Sequence, residues 1–335
     1  MNQKTFWIGG LVLALACGIW MQSCHRRTRL QQQEAAVMEE AAKREFPPLG
    51  SRGAGPSYDK SSDSTLTSLI REVEPRFRQF TFHDIVSGKT IDYNLLLPDN
   101  LEAGKSYPLL LFMADASTPG RGVTAPLTQG YGALVWGTQQ WQREHPCIVL
   151  VPQFSGIAVD DEFEKIPEVD AVMRLLDNVA NNYPVDRDRI YTTGQSMGGM
   201  ISIYFLVTYP DVFAAAMPVD CHWDFSTFDR LAHSRLIYIT TGGNPKSQAG
   251  AAELLRQAKV QKIPCDSVNF SARLPLATQD SIVARMLRRD APLNIVVFEK
   301  GTVVPAGKNE NEHMHSFDCA YRLLPAREWL FRQRK

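Results

Sequence analysis

The stretch Asp188–Met200, DRIYTTGQSMGGM, constrains the fold more than any other part of this chain. A short run of β-branched and aromatic residues leads into Gly194-Gln195-Ser196-Met197-Gly198. A helical pattern then runs from Met197 to Tyr209 and stops at Pro210. Strand, G-x-S-x-G and helix, in that order, describe a tight turn whose serine takes strained dihedrals, so that its hydroxyl stands out above the carboxyl end of the strand. The flanking glycines remove side chains that would collide with a neighbouring strand and with the helix.

The rest of the chain alternates short apolar runs with helical patterns, as expected of a sheet flanked by helices. RFRQFTFH (Arg76 to His83) and TIDYNLLL (Thr90 to Leu97), joined by a turn containing glycine, predict an antiparallel opening pair. Parallel, buried strands are predicted at Pro108–Met113, Cys147–Pro152, Asp188–Gly194, Ala214–Val219, Arg235–Thr241 and Asn294–Glu299, each of strand rather than helix length. Val169, Val172, Leu175, Leu176 and Val179 recur at helical spacing, as do Met200, Ile203, Tyr204 and Val207, marking the core-facing stripes of two helices.

Upstream of this domain, Phe6–Cys24 reads FWIGGLVLALACGIWMQSC, without a charge and long enough to cross a bilayer. It also fits a secretory signal, or a lipoprotein signal with Cys17 or Cys24 as the acylated residue. His25, Arg26, Arg27 and Arg29 follow at once, which favours a cytoplasmic flank and argues against simple export. Residues 1–24 are therefore read as signal peptide or membrane anchor, placing the protein at the cell envelope, anchored or exported. Residues 25–65, helix-forming and then rich in Pro, Gly and Ser, are read as stalk and flexible linker. The folded domain is expected over 66–335. Lys plus Arg equals Asp plus Glu at 36 each, so no basic excess points to nucleic acid. Cys147, Cys221, Cys265 and Cys319 form no C-x-x-C pair and are read as free thiols, with a disulfide as the alternative.

The elbow makes Ser196 the expected nucleophile. The amide of Met197, at the start of the helix, is one expected oxyanion donor. A second is expected from the loop MADASTPGRG after the third strand, at Asp115 or Ala116. Glu312-His313-Met314-His315 follows the last predicted strand, where a general base belongs, and precedes a helix expected to start near Ser316. His222, His233, His145 and His83 lie on no comparable loop. The reading calls for no cofactor and no metal, since no H-E-x-x-H accompanies these histidines.

Together, KSYPLLLFMADAS, LTQGYGALVW, DRDRIYTTGQSMGGM, GGNPKSQAG and GTVVPAG with NEHMHSFDCAYRLLPAREWLF resemble a family of α/β hydrolases, predicted peptidases or esterases related to polyhydroxybutyrate depolymerases and feruloyl esterases. The resemblance implies an α/β-hydrolase fold with Ser196 as nucleophile and His313 as base, His315 being the alternative. It carries the family's triad acid, from a Gly-Asp-x-Lys stretch, onto Asn244. The family's His-Asp or His-Gly pair after the third strand falls on Ala114 and Asp115.

An amide can orient an imidazole but cannot stabilise the imidazolium, so a triad ending in Asn244 would be weak, and Asn244→Asp would then raise turnover. Asp220, Asp224, Asp280 and Glu312 are the alternative acids. The function expected is cleavage of an ester, less readily a peptide, bond through an acyl-enzyme on Ser196. The substrate would be a small molecule, a peptide or a carbohydrate ester. The competing reading, motivated by Asn244 and Ala114, is a tethered domain that binds without turnover.

Overall fold

The structure, a computed structural model, describes residues 49–55, 58–308 and 310–335. The leader and most of the stalk lie outside the described residues. Strand β1 (Arg78–Asp84) pairs antiparallel with β2 (Lys89–Leu96), and Phe80 stacks on its cross-strand partner Tyr93. Strand β2 is in turn antiparallel to β4 (Ile148–Gln153). From there the sheet is parallel: β4, β3 (Tyr107–Met113), β5 (Val185–Gln195), β6 (Ala215–Val219), β7 (Leu236–Thr241), β9 (Leu293–Phe298) and β8 (Cys265–Phe270), in that spatial order.

Side-chain alternation at the sheet centre divides the core between its two faces. Leu109, Leu111 and Met113 pack with Val172, Leu176, Ile201 and Ile203 on one face. Leu110, Phe112 and Ala114 pack with Val283, Phe317 and Trp329 on the other. A strand covered on both faces has no polar side to show, which is why β3 and β4 read as unbroken apolar runs.

The first face carries helices α2 (Pro167–Asn182) and α3 (Met197–Thr208). The second carries α1 (Ser64–Val73), α5 (Leu276–Leu287), α6 (Glu312–Arg322) and α7 (Leu324–Arg332). Helix α4 (Pro245–Gln261) follows β7 and returns Leu254 and Ala258 to the first face. Helix α3 is apolar all round, and from Met197 to Val207 only Tyr204 escapes burial, so it is a central helix rather than the one-sided helix that its apolar stripe implies.

Every predicted strand is present. Strand β8 has no counterpart among the predicted strands, because its sequence CDSVNF is half-exposed at the sheet edge and carries no apolar run. The single C-terminal helix expected from Ser316 is two helices. Helix α6 begins four residues earlier, and the break at Leu323 precedes Pro325 in the first turn of α7.

The expected domain edge near Leu66 also moves. The compact unit begins at Leu49. Gly55 donates its N–H to the carbonyl of Ala116 at 2.6 Å, Tyr58 packs its ring on His315, and Lys60 pairs with Asp318 at 2.5 Å. Pro, Gly and Ser content suggests a tether, but these contacts hold the described residues 49–63 on the domain. Among the described residues no helix is long and apolar enough to cross a membrane, and the four cysteines there are free thiols.

Candidate active site

Ser196 sits between β5 and α3 with φ 51° and ψ −119°, a conformation that L-residues rarely adopt. The turn is held from both sides: the Ser196 N–H donates to Val219 O at 3.0 Å, and its carbonyl accepts from Met200 N at 2.9 Å. Gly198 is required by close approach. A Cβ there would lie 2.0 Å from the carbonyl oxygen of Met113, so only glycine lets α3 start beside the end of β3.

The same approach brings the loop after β3 to the serine. Asp115, buried, accepts from Ser117 N at 2.7 Å and from Gln195 Nε2 at 2.8 Å, which ties this loop to the residue preceding the nucleophile. The Asp115 side chain is thus a brace between that loop and the elbow. Met197 opens α3, where an amide has no carbonyl one turn earlier to bond. The role of Gln195 is not legible in the sequence, since a polar residue inside a motif gives no sign that it is fully buried.

His313 lies in the first turn of α6, with its amide capped by Asn311 Oδ1 at 3.0 Å. Its Nε2 is 2.8 Å from Ser196 Oγ. Its Nδ1 is 2.7 Å from Asp220 Oδ2. A carboxylate can only accept, so Nδ1 carries the proton and Nε2 is left as the acceptor for the serine hydroxyl.

Asp220 follows β6 directly, with φ 43°, and its side chain is wholly buried. Besides His313 it accepts from Thr240 Oγ1 at 2.9 Å, Ser316 Oγ at 3.0 Å, Asn244 Nδ2 at 3.3 Å, Thr241 N at 3.4 Å and the hydroxyl of Ser247. Burial alone would push the Asp220 carboxyl up. The hydrogen bond and charge of His313, with the donors Ser247 and Asn244, outweigh it and hold the group below its ordinary value.

This geometry corrects the acid position that the family resemblance places at Asn244. Asn244 reaches the same place from the end of β7, its Nδ2 only 2.9 Å from His313 Nδ1, but both nitrogens are donors and cannot satisfy each other. Asn244 Oδ1 is engaged as the N-cap of α4, accepting from Lys246 N at 3.2 Å. Asn244 therefore supports the carboxylate instead of replacing it.

Asp224, Asp280 and Glu312, the remaining candidate acids, lie away from the imidazole. Asp224 caps a short helical turn through Ser226 N at 2.9 Å. Asp280 lies on α5, half-buried, where burial raises its pKa, and it has no hydrogen bond to His313. Glu312 bonds Thr241 Oγ1 and Gly301 N, both at 2.7 Å. His315, the second candidate base, turns to Glu310 at 2.6 Å and to the ring of Tyr58. The serine, His313 and Asp220 share a cavity of about 580 Å³, with Asp161, Met200, His222 and Lys246 also on its wall.

The mostly parallel sheet, its antiparallel lead strands and a strained serine at the end of β5 are those of the α/β-hydrolase fold. A model of the prolyl oligopeptidase family matches residues 164–264, which take in Ser196 and Asp220 but stop short of His313. A poly(3-hydroxyalkanoate) depolymerase C from Paucimonas lemoignei is 39% identical over 49 residues, 15% of this chain and 12% of that protein. The crystal structure of a thermostable esterase superposes with a TM-score of 0.64 at 25% identity, over 78% of this chain and 64% of the other. The chain thus spans less than two thirds of the length of either relative. A mutant feruloyl esterase module from Clostridium thermocellum, complexed with sinapinate, shares the fold at 16% identity, with a TM-score of 0.52 over 84% of this chain and 96% of the module.

Proposed function

We propose that this protein is a serine hydrolase acting through an acyl-enzyme on Ser196. The observation that carries the reading is the unbroken relay from Ser196 Oγ to His313 Nε2 at 2.8 Å and from His313 Nδ1 to Asp220 at 2.7 Å, opening into one cavity. His313 takes the serine proton as the hydroxyl attacks a carbonyl, and later returns it to the leaving group. Asp220 fixes the imidazole tautomer and stabilises the imidazolium. The amide of Met197, with one from Asp115 or Ala116, meets the oxyanion, and water then releases the acid.

An ester is the favoured substrate class, supported by the likeness to a thermostable esterase and to a polyester depolymerase. A domain that binds without turnover would follow from Asn244 as the acid. A carboxylate within reach of His313 removes that ground. A fluorophosphonate probe is expected to label the purified domain at Ser196 and to fail on Ser196→Ala. An unlabelled wild-type serine, with no cleavage of simple acyl esters above that variant, would sink the reading.

The sequence of the leader also supports placement at the cell envelope. Mass spectrometry of the native N-terminus in separated membrane and cytosolic fractions tests this: a membrane-bound chain that retains the apolar segment, a cleaved leader or an acylated Cys17 or Cys24 agrees with it, whereas a full-length unmodified chain confined to the cytosol overturns it.

A further inference from the structure

The cavity around Ser196 carries a group of charges that the acyl-transfer chemistry leaves unused. Asp161, from the loop between β4 and α2, reaches over the cavity to the first turn of α4, where its Oδ2 lies 2.5 Å from Lys246 Nζ. Its Oδ1 lies 3.4 Å from His222 Nε2. One carboxylate is thus shared between an ammonium and an imidazole on the wall of the reactive cavity. Phe163, with φ 65°, packs its ring against His222 and Trp223 and holds this loop in place.

The pairing is built to be exchanged. Asp161 and Lys246 are both more than half exposed, and an ion pair in water at such a site contributes little to stability. An incoming carboxylate can replace that of Asp161 on Lys246 at small cost and gain a charge-assisted hydrogen bond in return. Burial keeps His222 below its ordinary pKa despite Asp161, so the fixed positive charge here is that of Lys246.

We infer that Lys246, with His222 beside it, forms an anion-accepting subsite for ester substrates that carry a second, ionised carboxylate, and that Asp161 occupies this subsite in the free protein. The inference rests on the serine-hydrolase reading and gives it a substrate class.

The test compares kcat/KM for 4-nitrophenyl butyrate with two charged analogues. 4-Nitrophenyl hemiglutarate carries the carboxylate on the acyl side, and 4-carboxyphenyl butyrate carries it on the leaving side. Lys246→Met is expected to lower the charged-to-neutral ratio about tenfold for at least one analogue, the usual loss when a charged hydrogen bond is removed. Asp161→Asn is expected to raise the same ratio by removing the competitor.

A ratio unchanged in Lys246→Met for both analogues overturns the subsite, as does a ratio that stays flat or falls in Asp161→Asn. These failures are distinct from failure of the hydrolase itself, in which the wild type would cleave none of the three esters.

Discussion

Asp220→Asn is expected to lower kcat on an ester substrate by about 10⁴-fold, the loss seen when a triad carboxylate becomes an amide. The reason lies in the charge that appears during turnover. In the proposed reaction His313 becomes an imidazolium as Ser196 gives up its proton, and the Asp220 carboxylate, 2.7 Å away and fully buried, is the counter-charge. Asn244→Ala is expected to cost no more than about tenfold, since it removes one of the several donors around Asp220, together with a helix cap usually contributing about 1 kcal/mol. Asn244→Asp would set a second carboxylate 3.3 Å from the first and is expected to lower turnover, the opposite of what an acid-deficient triad requires. Steady-state kinetics of the three variants, with thermal melts to confirm folding, decide the matter. If Asn244→Ala costs as much as Asp220→Asn, the assignment of Asp220 is wrong.

Gly198→Ala is expected to destabilise the domain by about 3 kcal/mol or more, a core overpacking cost at the upper end of its range. The added methyl would stand 2.0 Å from the carbonyl oxygen of Met113 and 2.7 Å from that of Ala114. Both belong to backbone, which can yield only if α3 moves away from β3. At roughly 2–4 °C per kcal/mol for a domain of this size, the thermal midpoint should fall by about 6–12 °C. Because the loop after β3 is tied through Asp115 to Gln195, next to Ser196, activity measured below the midpoint should fall too. A midpoint within a degree or two of wild type would show that the helix start is less tightly seated than these distances imply.

The elbow is legible in the sequence because its requirements are local. A strand, two glycines with a serine between them and an apolar helix lie within about twenty residues, and each is visible in composition. The acid is not legible, for a reason that the strand order makes plain. Strands β6 and β7 are neighbours, so Asp220 at the end of one and Asn244 at the end of the other approach the same imidazole. Choosing between them requires the positive φ of Asp220 and the hydroxyls of Thr240, Ser247 and Ser316 around it, which are contributed by three separate segments.

The base lies between these extremes. The late Glu-His-Met-His segment is visible in the sequence, but only the helical turn that starts at Glu312 aims His313 inward and sends His315 to Glu310. Strand β8 leaves no apolar signature because an edge strand need bury only part of itself.

The segment ahead of α1 bears on where this chain can be cut. A recombinant fragment begun at Leu66, where the apolar patterning starts, would lack Gly55 and Lys60. The Ala116 carbonyl would lose its backbone partner in the loop that Asp115 ties to Gln195, and Asp318, in the helix of His313, which also accepts from Tyr131 N at 2.9 Å, would lose its cation. Fragments meant to report native catalysis should start ahead of Leu49.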